Sequence, residues 1–279
     1  MTIRIVTDST CDLPTEVIKE HAIAVIPILI HVGSQEYLDG IDLSRQQFYK
    51  DLPGMKPPPT TAAPGHYAFR QTYERLAAEG ATEILSIHIS HKLSAVVEIA
   101  RQAAQETKTV QVTVFDSRQL SLGMGFEVEI AAEAMSASRS MSEILARLEA
   151  QIARTHVFAA LDTLEYVRRS GRMNAAITAL GDLLQIKPIL KMYQGDPTAE
   201  RVRTRAHAVK RLKELLAECA PFERVALVHT DAEARAQALL EEVRDRLPGG
   251  EIWMQEINPV VGAHIGPGVI GFACISSQK

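Results

Sequence analysis

Hydrophobic residues along this chain switch repeatedly between two periods. Ile3 to Val6, Ala22 to Val32, Ile84 to Ile89 and Val110 to Phe115 are short, β-branched apolar runs that predict buried strands. Helical spacing follows them. Pro14 opens a helix to Glu20, and further helices are predicted over Ser44 to Lys50, His66 to Glu79, Leu93 to Ala104, a segment entered through Gly123 and Gly125, and Ser142 to Ala153. Strands alternating with helices imply a parallel, helix-covered sheet. The proline-rich run from Leu52 to Gly65, LPGMKPPPTTAAPG, breaks the pattern and predicts an extended loop.

The order of elements changes after residue 155. Strands are expected at Val157 to Leu161, Ile186 to Met192, Glu200 to Thr204, Val225 to His229 and Ile252 to Ile257. Helices are expected at Ala175 to Leu184, Ala206 to Cys219 and Glu233 to Leu247, with a hairpin turn at Gly195, Asp196 and Pro197. The reading is two α/β domains, 1–154 and 155–279. Near the end, Gly266, Gly268 and Gly271 spell GxGxxG, but a strand rather than a helix should follow, so a dinucleotide site fails on context. The segment reads instead as a glycine loop presenting His264, with Gly262 and Gly266 leaving room for a ligand; a purely structural histidine is the alternative.

Candidate chemistry gathers where strands end. In a parallel sheet, ligands sit outside the carboxyl ends of the strands, and the polar clusters Thr7 to Asp12, Ser90 to Ser94 and Asp116 to Ser121 share that edge. Ser94 either caps its helix or joins free amides and the helix dipole in holding an anion. A formal net charge of -4 offers no footprint for nucleic acid. Cys11, Cys219 and Cys274 are too few and too scattered for a disulfide framework or a zinc site. No export signal is read at the N-terminus, and the longest apolar run, Ala22 to Ile30, is too short to span a bilayer, so a cytoplasmic protein is expected. No dimerisation stripe stands out, so a monomer is expected too. GxSxG, HExxH and P-loop motifs are missing, and Asp8 with Asp12 has the wrong spacing for a paired-aspartate phosphatase. No catalytic residue, metal or cofactor is therefore predicted; hydroxyls, one histidine and arginines suit holding an anion.

Seven stretches in order, IVTDSTCDLP, PPPTTAAPG, ILSIHISHKLSAVVEIA, VTVFDSRQLSLGMG, LDTLEYVRRSGRM, IKPIL and GAHIGPGVIGF, resemble the DegV family, whose members bind a long-chain fatty acid. The resemblance implies a larger N-terminal parallel-sheet α/β domain holding the acyl chain, and a smaller C-terminal α/β domain contributing Arg172 and the His264 loop. It implies that the carboxylate of palmitate, stearate or oleate is held by Thr60 and Thr61, with Thr61 preferred, by Ser94 beside Ala95, and by His264 beside Gly262. Arg172, in Ser170-Gly171-Arg172, matches the arginine of the family's Gly-Gly-Arg motif and is placed beside the carboxylate or a transferred phosphoryl group. Arg203 is expected as a second contact for a partner, a fatty-acid kinase that makes the acyl phosphate. Two departures stand out. Thr-Thr-Ser-Gln-Pro-Ser becomes Thr60 to Gly65, TTAAPG, and Ser-Gly-Thr becomes Ser94, Ala95, Val96, where a methyl at 95 is expected to crowd the carboxylate. With 5% aromatic residues, an aliphatic tunnel is expected. Two other readings remain: a hydrolase or transferase of a small phosphorylated or acylated metabolite at the Asp8, Asp12, Asp116 edge, and a lipid-responsive regulatory adaptor.

Overall fold

The structure, a computed structural model, describes residues 2–172 and 186–277. Strands β1 (Ile3–Asp8), β2 (Ala24–Ile26), β6 (Glu83–His88) and β7 (Gln111–Asp116) form an all-parallel sheet in the order β2-β1-β6-β7. Every residue of β6 is buried, as expected of a central strand covered on both faces. A small antiparallel sheet stands beside it, β4-β3-β5, made of β3 (Leu29–Val32), β4 (Gln35–Leu38) and β5 (Thr60–Ala62). The single strand expected over Ala22 to Val32 is thus two strands in different sheets, with Pro27 between them. The proline-rich loop ends in an edge strand, β5, because edge positions tolerate the flanking prolines.

The helices of this first part are α1 (Thr15–Glu20), α2 (Arg45–Asp51), α3 (His66–Ala78), α4 (Val96–Glu106), α5 (Ser121–Ser136) and α6 (Met141–Ile152). Helix α4 starts three residues later than the apolar spacing predicts, at Val96. Helix α5 is apolar around most of its circumference because it is a central helix. It packs on β1 and β6 and also on the sheet of the second part.

That second sheet has six strands in the order β10-β9-β8-β13-β11-β12: β8 (Thr155–Ala160), β9 (Ile189–Tyr193), β10 (Asp196–Glu200), β11 (Phe222–Thr230), β12 (Trp253–Glu256) and β13 (Val269–Ser276). Only β11 and β12 pair in parallel. The β9–β10 hairpin turns through Gln194 and Gly195, both with positive φ, and not through Asp196 and Pro197, which already belong to β10. A two-residue turn of this kind matches the twist of the flanking strands. Helices α7 (Glu165–Ser170), α8 (Arg205–Cys219), α9 (Glu233–Val243) and α10 (Pro259–Ile265) complete the described α-helices. The helix expected over 175–184 lies outside the described residues.

Alternation along the strands sorts this sheet's two faces. Phe158, Leu227, Phe272 and Cys274 join α8 and α9 in one apolar cluster, while Val157, Val228, Ala273 and Ile275 join the cluster that also contains Ile5, Leu85 and Met124. The protein is therefore a two-domain α/β molecule whose larger core runs across residue 155. Among the described residues, no helix is long and apolar enough to cross a membrane.

Candidate functional site

Between the carboxyl ends of β1 and β6 and the Val157 face of the six-stranded sheet lies a cavity of about 1080 Å3, its open mouth included. Ile89, Leu93, Val157, Met192, Val228 and Val261 represent its aliphatic lining. The acyl pocket implied for residues 1–154 thus differs from the cavity observed, which both parts of the chain build.

Thr61, Ser94, His264 and Arg172 all line this cavity. Thr61 reaches it from β5, paired with Ile30 of β3. His264 reaches it from the last turn of α10, a helix where a glycine loop was expected. The signal for that helix is in the sequence: Asn258 caps it by accepting from the Val261 N–H at 2.9 Å, and Pro259 occupies its first turn. Thr61 Oγ1 and His264 Nε2 lie 2.8 Å apart, although 203 residues separate them. Burial, and then the Arg172 guanidinium, push the imidazole down to about 4, so it is neutral at pH 7. A neutral ring that donates Nε2–H to Thr61 leaves the threonine hydroxyl free to donate to an anion in the cavity. Arg172 is exposed, and no carboxylate pairs with its side chain among the described residues.

The other expected residues stand apart. Thr60 is exposed and alternates to the opposite side of β5 from Thr61. Ala95 is exposed just ahead of α4 and outside the lining, so its methyl does not crowd the cavity. Gly262 is buried and serves packing rather than ligand access: a side chain there would collide with the Tyr49 ring, whose Cζ would be 2.7 Å from the added carbon. Arg203 is exposed and also outside the lining. Thr10 and Ser121, which the sequence placed within two of the polar strand-end clusters without singling either out, line the cavity from the loop after β1 and the start of α5.

The aspartate edge is occupied by the fold. Asp8 accepts from Thr10 N (3.1 Å), Thr10 Oγ1 (2.5 Å) and Ile89 N (3.1 Å), and faces His88 Nδ1 at 3.0 Å. His88 Nε2 is 2.7 Å from Ser86 Oγ, giving an Asp-His-Ser chain with the geometry of a nucleophilic triad. All three side chains are fully buried and none lines the cavity, so this chain is a core network. Asp116 binds His91, Nδ1 to Oδ2 at 2.5 Å. No cluster of metal-ligating side chains occurs among the described residues.

The fold and cavity define a class: a two-domain α/β protein with an aliphatic chamber and a polar group set from both domains. Comparison with known proteins gives the family. The DegV family model matches residues 2–277, and the chain belongs to the DegV family. It is 36% identical to a DegV domain-containing protein of Streptomyces coelicolor over 96% of both chains, and 31% identical to protein DegV of Bacillus subtilis over 97% of this chain and 98% of that one. The crystal structure of B. subtilis DegV, described as a fatty acid binding protein, superposes with a TM-score of 0.91 over 99% of both chains at 31% identity. A DegV family protein from Thermus thermophilus, described by its fatty acid binding, gives 0.89 at 33% identity over 99% of this chain and 100% of that one.

Proposed function

We propose that this protein binds a long-chain fatty acid such as palmitate, stearate or oleate, with the chain in the aliphatic cavity and the carboxylate at Thr61, Ser94 and His264. The observation that carries this reading is the pairing of Thr61 with His264 at the wall of a largely aliphatic chamber. Burying each methylene contributes about 0.8 kcal/mol, so the tail dominates affinity. Charge-assisted bonds of roughly 1.5 to 3 kcal/mol each then select an acid end.

The finer reading adds a partner. Arg172, exposed and with no carboxylate partner among the described residues, suits a transferred phosphoryl group, as an ATP-dependent fatty-acid kinase in the cytoplasm would require; Arg203 is a surface contact for that enzyme. The test is native mass spectrometry with lipid extraction, then palmitate binding by Ser94→Ala and His264→Ala. A stoichiometric fatty acid whose affinity falls about 10-fold in each variant supports the reading. Protein that is empty and also refuses palmitate and oleate ends it. For the partner, Arg172→Ala should lose acyl-phosphate formation even when saturated with fatty acid.

A further inference from the structure

Thr61 and His264 come from different domains, so no local stretch of chain sets their separation. Something must hold α10, which carries His264, in register with β5, which carries Thr61. The strongest buried polar tie at the start of α10 is Asp12, which lies in the loop after β1 with a left-handed backbone, φ 55°. Its carboxylate accepts from Asn258 N at 2.9 Å and from Asn258 Nδ2 at 3.1 Å to each oxygen. Ser121 Oγ donates to it at 2.6 Å, and Arg45 pairs with it at 3.1 Å. Three other elements therefore converge on one side chain: α2 through Arg45, α5 through Ser121 and α10 through Asn258.

The chemistry leaves little freedom. Asn258 has one amide oxygen, spent on capping α10 at Val261 N, and one NH2, spent on Asp12. Reversing the amide would break both contacts. Arg45 also donates to the Glu256 carbonyl, and Tyr49 donates to the Ile257 carbonyl at 2.8 Å, so the residues just before α10 are held from the first domain as well. Its far end is held by the second domain, where Thr230 Oγ1 donates to the Gly266 carbonyl at 2.8 Å. Six residues separate Asn258 from His264, about 9 Å along a helix, so a small tilt at the first moves the second.

We propose that Asp12 is a positioning residue for the head-group site: through Asn258 it fixes α10 so that His264 meets Thr61. This rests on the fatty-acid reading for its consequence but not for its geometry. The test uses Asp12→Asn, which sets an amide NH2 against the Asn258 Nδ2 donor in place of one carboxylate oxygen and removes the charge that pairs with Arg45, and Asn258→Ser, which retains a capping hydroxyl but loses the amide link. The first readout, on ligand-free protein, is the NMR titration of the His264 ring. In the native protein it should stay neutral down to about pH 4; in both variants it should move by one unit or more toward the ordinary value of about 6.5. The second is competition binding of palmitate against hexadecanol, which has the same tail and no charge. Each variant should lose about 10-fold of the preference for the acid while hexadecanol affinity stays within about twofold. An unchanged His264 titration in folded variants, with only a lower melting temperature, would overturn the proposal. A native protein with no preference for palmitate would count against the fatty-acid reading instead, and the His264 titration would still decide the role of Asp12.

Discussion

Position 262 has no space for a side chain, because the Tyr49 ring occupies it while donating its hydroxyl to Ile257. Gly262→Ala should therefore cost about 1–3 kcal/mol by overpacking, read as a lower urea midpoint with an unchanged slope. Glu127 presents a different problem. It is fully buried on α5 with no hydrogen-bond partner for either oxygen among the described residues, and burial first, then the charges of Asp116 and Glu149, hold its carboxyl well above the ordinary range against the pull of Arg118. A carboxyl whose folded-state pKa is raised contributes its stability below the unfolded value of about 4.3 and loses it as pH rises. Glu127→Gln should thus gain on the native protein as pH increases from there, measured as the difference in melting temperature across the acid-to-neutral range. Such partnerships were legible in the sequence only where chain neighbours make them. Ser94 and His264 could be singled out by the polar and glycine residues beside them, but nothing local marks Gly262 as a packing residue or Asp12 as the partner of Asn258, 246 positions away.

Helix α5 shows the same limit at the next scale. Its two glycines read from the sequence as a helix entry, and the structure places both inside the helix, where glycine ordinarily costs about 0.5–1 kcal/mol. Close approach explains them. A Cβ at Gly123 would meet the Val157 side chain at 2.5 Å and Gln119 Oε1 at 2.9 Å, both side-chain atoms, whereas one at Gly125 would meet the Cys11 carbonyl, which belongs to the backbone. Gly125→Ala should therefore be the more damaging of the two, with the larger drop in melting temperature. Strand periodicity was the most legible element signal: β1, β6, β7 and β8 fall within a residue or two of their apolar runs. Pairing was not legible, since Pro27 had to be recognised as a change of sheet and the Gln194-Gly195 turn carries a glutamine where asparagine is the usual signature.

At the scale of the molecule, the larger apolar cluster runs through both domains, and Phe126 of α5 stacks on Trp253 of β12 with ring centroids 5.9 Å apart. Trp253 is the sole tryptophan, so its fluorescence reports the interface between the domains. A shared core predicts one cooperative transition: Trp253 emission and far-ultraviolet dichroism should unfold at the same denaturant concentration. Separate midpoints would mean that the domains fold independently.

The order of strands in the six-stranded sheet carries a consequence for how the chain is made. Strand β13 sits between β8 and β11, yet it follows every strand it touches in sequence. Until Val269 to Ser276 leave the ribosome, β8 and β11 each offer an unsatisfied, largely apolar edge. A nascent or truncated chain that stops before residue 269 is thus left with two open strand edges and an incomplete sheet, the kind of species that chaperones hold and that aggregates without them.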